Sequence, residues 1–246
     1  MTAKNPNIIL IFVDNQPANM LGCAGNDEVR TPNLDNLASK GIRFSGAFCP
    51  NAMCSPCRAS VLTGLMPSQH GIHTWLDDRV IGTWPEKWNA IGEFKTLAER
   101  LVEEGYDTAL IGKYHLGIAD EPQNGFREWV TFQIGHVLSF YDNAMIDNGK
   151  RFMHSGHSVE HFTQRAIDYI ESRGNATEPF FLFLTYPAHT GIGLQSRANR
   201  STSLPSCIGA RRSSPCCARG LASAWLIGCW SGTIKCLEKA RIMSRT

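Results

Sequence analysis

Residues 7–15 read NIILIFVDN. The six apolar residues in a row, most of them β-branched, leave no polar face, so the run suits a strand covered on both sides, as in a parallel sheet. It ends in Asp14 and Asn15, at the carboxyl end of the strand, where open α/β sheets gather their ligands. Two further runs have the same form. Residues 107–117, DTALIGKYHLG, place Lys113 and His115 just past a strand, and residues 179–189, PFFLFLTYPAH, place His189 just past another. Lys113 and His115 alternate along an extended stretch, which puts them on one face. Polar residues that recur beyond strand ends mark one edge of the sheet as the working edge.

Helical segments lie between these strands. Residues 31–41, TPNLDNLASKG, read as a short helix with Thr31 as cap, Pro32 in the first turn and Gly41 after the end. Residues 94–106, FKTLAERLVEEGY, form an amphipathic helix with Leu97, Leu101 and Val102 on one face and Gly105 at its end. Residues 158–173, SVEHFTQRAIDYIESR, form another, and the spacing of residues 59–65 puts Cys54 near a helix N-terminus. Residues 42–49, IRFSGAFC, are expected to be a strand. The alternation predicts an α/β fold with a largely parallel or mixed central sheet and helices on both faces. Asp147-Asn148-Gly149 reads as a hairpin turn, a geometry that Asp/Asn-Gly favours. His154, His157 and His161 fall on a loop and a helix face. Roles at a substrate edge or in the structure are both open for His70 and His73.

Composition narrows the class. A hydrophobic content of 43% with 19% charged residues suits a globule with a sizeable core. The length of 246 residues allows one large α/β domain or two small ones. The start lacks a small-residue cleavage site and no apolar run is long enough to span a bilayer, so a cytoplasmic location is expected. The net charge of +2 is an average over unlike parts. Residues 195–246 carry nine Lys or Arg against one acidic residue, Glu238. Five of the nine cysteines (Cys207, Cys216, Cys217, Cys229 and Cys236) also lie there, and no Asp, His, Phe, Tyr or Val follows Gly191. The expected division is therefore 1–193 and a basic Ser/Arg/Cys-rich tail, 194–246. The tail has the character of translation in another reading frame, and SAWLIGCW, residues 223–230, is its one compact apolar patch.

Residues 53–60, MCSPCRAS, admit several readings. Cys54 and Cys57 have redox spacing, but the strand before them ends in an Asp-Asn pair without redox use. With Cys49 they begin an iron–sulfur run, yet the next thiol is Cys207, and zinc meets the same shortage. Buried inert cysteines leave Pro56 and Arg58 unexplained. One reading uses all of these residues: CSPCRASVLTGLMPSQHGI, residues 54–72, resembles the signature of the sulfatase family, in which a Cys followed by x-Pro-x-Arg is oxidised to formylglycine. The resemblance continues through NIILIFVDNQ, TPNLDNLASKGIRFSGAFC, TLAERLVEEGYDTALIGKYHLG and PFFLFLTYPAHT, in the family's order, over roughly residues 6–190.

The resemblance implies an alkaline-phosphatase-like fold, incomplete at the C-terminus, and hydrolysis of a sulfate ester. Cys54 would be the aldehyde precursor, matured by a formylglycine-generating enzyme, and Cys57 a bystander. A formylglycine hydrate would attack sulfur with one hydroxyl and expel sulfate through the other. Asp14, Asn15 and modified Cys54 would ligate a cation, calcium first and magnesium second, which polarises the sulfuryl group. Asn15 replaces an acidic residue usual in the family. Arg58 would steady the hydrate, Lys113 a sulfate oxygen, and His115 the hydroxyl proton. His189 would serve the leaving group. Neither nucleic acid nor a membrane is implied as a partner. A phosphonate monoesterase or phosphodiesterase of the same superfamily, and a non-catalytic remnant, are the alternatives. The family's second Asp-Asn metal pair, a further sulfate-binding Lys and a small C-terminal domain lie past the point where this chain loses the resemblance. Little turnover and an exposed apolar sheet edge are therefore expected.

Overall fold

The computed structural model describes residues 5–17 and 19–187, and the backbone of 224–227. The apolar run at residues 8–13 becomes strand β1 (Ile8–Val13) of a seven-stranded sheet. The other strands are β2 (Asp107–Gly112), β3 (Glu128–Phe132), β4 (Asn143–Asp147), β5 (Lys150–His154), β6 (Phe180–Tyr186) and β7 (Ala224–Ile227). Their order is β5-β4-β3-β2-β6-β1-β7. Neighbours among β3, β2, β6 and β1 pair in parallel, and β4, β5 and β7 add antiparallel margins.

The central strands lack polar alternation because both of their faces are covered. Leu10, Phe12, Leu110, Phe181 and Phe183 enter one core with Cys57, Ala59 and Leu62 of helix α2 (Cys54–Thr63). Helix α1 (Pro32–Lys40), the single turn α3 (Pro67–His70) and α4 (Leu97–Glu103) lie, like α2, between β1 and β2 in the chain, and Ala98 of α4 joins this core. Ile9, Ala109, Ile111, Phe180, Leu182 and Leu184 point the other way. They meet Phe162, Ala166 and Ile170 of α5 (Ser158–Ser172). Phe181, Leu182 and Leu184 are 0% exposed, and burial of such a side chain contributes about 1.5–3 kcal/mol. The predicted α/β architecture with helices on both faces is the one observed.

Local signals account for most boundaries. Helix α4 opens with a reciprocal cap: the Thr96 hydroxyl accepts from the Glu99 N–H, and Glu99 Oε2 accepts from the Thr96 N–H at 2.7 Å. Asn148 (φ 47°) and Gly149 (φ 86°) make the two-residue turn that pairs Asp147 with Lys150. The hairpin reading of Asp-Asn-Gly is the observed one, and Asn148 Oδ1 also accepts from the Trp129 N–H at 2.9 Å.

Three expectations need correction. Thr31 does not cap the first N–H groups of α1; its hydroxyl accepts from the Gly22 N–H and donates to Asp35. Residues 42–49 are not a strand. A strand needs a neighbour to complete its ladder, and the described sheet offers none there, so Ile42, Phe44 and Phe48 stay 79%, 68% and 76% exposed. Nor is the β1 edge left open, because the backbone of Ala224–Ile227, within the tail's apolar patch, pairs with it antiparallel.

The closest backbone approach lies at the end of β2. Gly112 has φ +119°, and a Cβ there would stand 1.8 Å from the Thr185 carbonyl oxygen. Gly112→Ala is expected to cost about 3 kcal/mol or more, because strain and a backbone clash act together. Urea unfolding of the variant checks this, and a midpoint equal to that of the parent chain counts against it.

Candidate active site

The carboxyl ends of the parallel strands β1, β2 and β6 point the same way, and α2 starts beside them. Asp14 follows β1, and its N–H donates to the Tyr186 carbonyl of β6 at 3.1 Å. The Lys113 N–H, just past β2, donates to the Thr185 carbonyl at 2.9 Å. Cys54 is the first residue of α2, and Arg58 follows one turn later. A helix start against three strand ends brings these side chains within contact distance.

Asp14 is the hub. Its Oδ2 lies 2.5 Å from Lys113 Nζ and 3.6 Å from an Arg58 terminal nitrogen, and its Oδ1 lies 3.9 Å from Cys54 Sγ. Lys113 Nζ is also 3.4 Å from Cys54 Sγ. Arg58 is 1% exposed, lies over the Phe12 ring, and donates to the Lys113 carbonyl at 2.5 Å. Burial pushes the Asp14 carboxyl up, but Arg58 and Lys113 outweigh it and hold the group below the usual range. Two cations thus share one carboxylate, which leaves positive charge beside Cys54 for another anion. Nε and one terminal nitrogen of Arg58 are buried without a hydrogen-bond partner.

His115 follows Lys113 with φ 54°, a turn that breaks the expected alternation. Its Nε2 lies 2.8 Å from the Leu76 carbonyl and 3.5 Å from Asp78. A carbonyl only accepts, so Nε2 carries the proton and Nδ1, buried and unpartnered, has the free lone pair. Burial first, and Lys113 second, push His115 down to about 3, so it is neutral. Burial raises the Asp78 carboxyl, against the donating His136 N–H at 2.7 Å.

The structure therefore joins Asp14, Cys54, Arg58 and Lys113 directly, with His115 beside them. Asn15 is exposed with φ 54°. His189 lies outside the described residues. His70 has a structural role: Nδ1 accepts from the Ile72 N–H, so Nε2 donates to the Ser60 hydroxyl of α2 at 3.0 Å. His73 lends only its carbonyl, to Asn51. His154, His157 and His161 occur at the end of β5 and on the start and face of α5. Asp78, the Leu76 carbonyl and Gly135 are additions that sequence reasoning misses. A Cβ on Gly135 would stand 2.1 Å from the His115 ring, and no local pattern announces that packing.

Asp14, Asn15 and Cys54 alone do not fit a dication. Lys113 already occupies Asp14 Oδ2, Arg58 adds a second positive charge, and no three His, Cys, Asp or Glu among the described residues converge on a metal position. Hard cations take six or more oxygens. Millimolar Ca2+, Mg2+ or EDTA is accordingly expected to move the thermal midpoint by less than about 1 °C; a rise of several degrees with Ca2+ alone counts against this reading.

The His115 environment also sets a pH dependence. Unfolded, the ring binds a proton near 6.5; folded, only at about 3. The unfolded chain binds more protons in that window, so stability is full above pH 6.5 and falls by on the order of 4 kcal/mol as pH drops towards 3. Asp14 adds a loss only below its ordinary 3.8. The urea midpoint of His115→Gln is expected to be flatter than the parent's between pH 6.5 and 4.5; parallel curves would show that His115 does not set the slope.

Comparison with known proteins gives the lineage. The sulfatase family model matches residues 6–191. An N-acetylglucosamine-6-O-sulfatase of Bacteroides thetaiotaomicron is 32% identical over 200 residues, covering 77% of this chain and 33% of that protein. Human arylsulfatase A is 36% identical over 140 residues, covering 54% and 26%. The structure of BT4656 in complex with its substrate D-glucosamine-2-N,6-O-disulfate is 31% identical with a TM-score of 0.62, covering 74% of this chain and 34% of that one. The structure of Ps i-CgsB gives a TM-score of 0.67 at 28% identity, covering 75% and 46%. The chain spans less than half the length of each of these relatives. With a family model matching most of its length and the motif residues gathered at one strand edge, this chain belongs to the sulfatase family.

Proposed function

We propose that the chain carries the sulfuric ester hydrolase chemistry of its family, centred on Cys54 as the formylglycine precursor. One observation carries this reading: half-buried Cys54 has its Sγ 3.4 Å from the Lys113 ammonium and 3.9 Å from Asp14, beside a buried cluster in which two cations meet one carboxylate. A side chain that bears a developing negative charge is stabilised there by fixed dipoles and charges that need no reorganisation. The N-acetylglucosamine-6-O-sulfatase and arylsulfatase relatives share one reacting group, a sulfate ester, and that is the proposed substrate class.

Formylglycine at position 54 supplies an aldehyde hydrate, whose oxygen is a nucleophile toward sulfur and whose second hydroxyl allows sulfate to leave. The residues around it bind and orient. Lys113 holds a sulfate oxygen over position 54. Arg58 and Asp14 keep that ammonium in place, the guanidinium through the Lys113 carbonyl and the carboxylate through Nζ. His115, kept neutral first by burial and second by Lys113, and with Nδ1 free, takes the hydroxyl proton, and an incoming sulfate offsets the Lys113 part of what disfavours its protonation. His189 serves the leaving alcohol. A cation, Ca2+ or Mg2+, joins only with oxygen ligands from outside the described residues, so turnover by this chain is expected to be weak.

The test is to express the chain with a formylglycine-generating enzyme, read the mass of the Cys54 peptide, and assay a simple aryl sulfate. Aldehyde at position 54 and slow hydrolysis that falls to background in Cys54→Ala are expected. Lys113→Ala should lose about 10²-fold or more in kcat/KM. Hydrolysis unchanged in Cys54→Ala would remove the proposal, and faster cleavage of a phosphonate monoester would transfer it to the sister reaction.

A further inference from the structure

The second cysteine of the signature has a partner. Cys57, 5% exposed in α2, places its sulfur 2.7 Å from that of Cys49 in the preceding loop, and the Cys49 thiol is half-buried and 2.8 Å from the Asn51 carbonyl. Cys57 feels the charges of Arg58 and Asp14, but the sulfurs have different partners. Cys54 meets Asp14 and Lys113, whereas Cys57 belongs to the apolar core and Cys49 packs against that core. The separation of eight residues closes a short ring over the turn from which α2 begins.

We propose that Cys49 and Cys57 are a dithiol site that forms an intramolecular disulfide by exchange with a low-molecular-weight disulfide such as oxidised glutathione. The Cys49 thiolate attacks one sulfur of the small disulfide; a protein–glutathione bond forms and one glutathione thiolate leaves. Cys57 then loses its proton and attacks Cys49 Sγ, forming the Cys49–Cys57 bond and expelling the second glutathione thiolate. Two protein thiols are oxidised and one small disulfide is reduced to two thiols, so electrons and atoms balance. The order follows from access and acidity. Cys49 is the less buried member, and its contact with Cys57 brings its thiol down to about 7, whereas the same contact and burial push Cys57 up. The bond would tie the 49–53 loop to α2, the helix that carries Cys54 and Arg58. It would also keep Cys57 from competing with Cys54 in thiol chemistry.

The test uses the purified full chain: titration with oxidised glutathione without denaturant, alkylation of the remaining thiols, and peptide mapping. A Cys49–Cys57 cross-linked peptide lacking two hydrogens is expected, and when the oxidised chain is then alkylated under denaturing conditions, Cys57 alkylation should be reduced about tenfold while Cys54 still alkylates. In Cys57→Ser, glutathione should remain attached at Cys49, because the resolving thiol is gone. In Cys54→Ser, the Cys49–Cys57 link should form as in the parent chain. A Cys54–Cys57 link, pairing of Cys57 with a tail cysteine, or alkylation of Cys49 and Cys57 undiminished by the oxidant would each overturn the proposal. The parent-chain map decides the matter even if a variant does not fold.

Discussion

A carboxylate at the end of a strand covered on both faces is tolerable only with counter-charge at contact distance, because desolvation of an unpaired ion costs several kcal/mol. Asp14 is 9% exposed and meets that condition through Lys113 and Arg58. The requirement ties three elements together. Lys113 reaches it from the end of β2, Arg58 from the second turn of α2, and the Asp14 N–H is bound to β6. Loss of any one member leaves a buried charge without compensation. The position of Cys54 follows from this, since the helix that brings Arg58 to Asp14 starts with Cys54 and turns its sulfur toward the other oxygen of that carboxylate.

In direct contact, the same cluster sets two cations against the one carboxylate of Asp14. The ammonium that neutralises Asp14 occupies an oxygen that a metal would need, and the guanidinium adds a second positive charge nearby. An added anion lowers the energy of both cations, while an added dication must displace one of them. His115 is kept neutral first by its own burial, and the Lys113 charge adds to that.

Much of the fold is legible because its signals are local or periodic. Continuous apolar runs mark β1, β2 and β6, since a strand covered on both faces has no polar side to show. The reciprocal Thr96–Glu99 cap and the Asn148-Gly149 turn are encoded within four residues. Segment 42–49 has apolar, β-prone residues but no partner in the described sheet, and a strand is a property of a pair. Cys57 reads as a bystander, as a redox mate of Cys54 or, with Cys49, as part of an iron–sulfur run, and none of these foresees a direct Cys49–Cys57 contact, because it depends on how the loop returns across the first turn of α2.

The sequence by itself determined the lineage, the alternation of strands and helices, and the placement of Asp14, Lys113 and His115 beyond strand ends. Those are consequences of side-chain order along one chain. Only the tertiary structure decided which of them touch. It brought Asp14, Lys113, Arg58 and Cys54 into one buried cluster and turned His115 toward Leu76 and Asp78. It also separated Cys54 from Cys57 by giving each sulfur a different neighbour. The physical reason is range. Hydrophobic period and turn chemistry act over a few residues, whereas the pairing of buried charges joins segments tens of residues apart, and the contact of Cys49 with Cys57 needs a loop packed back on a helix.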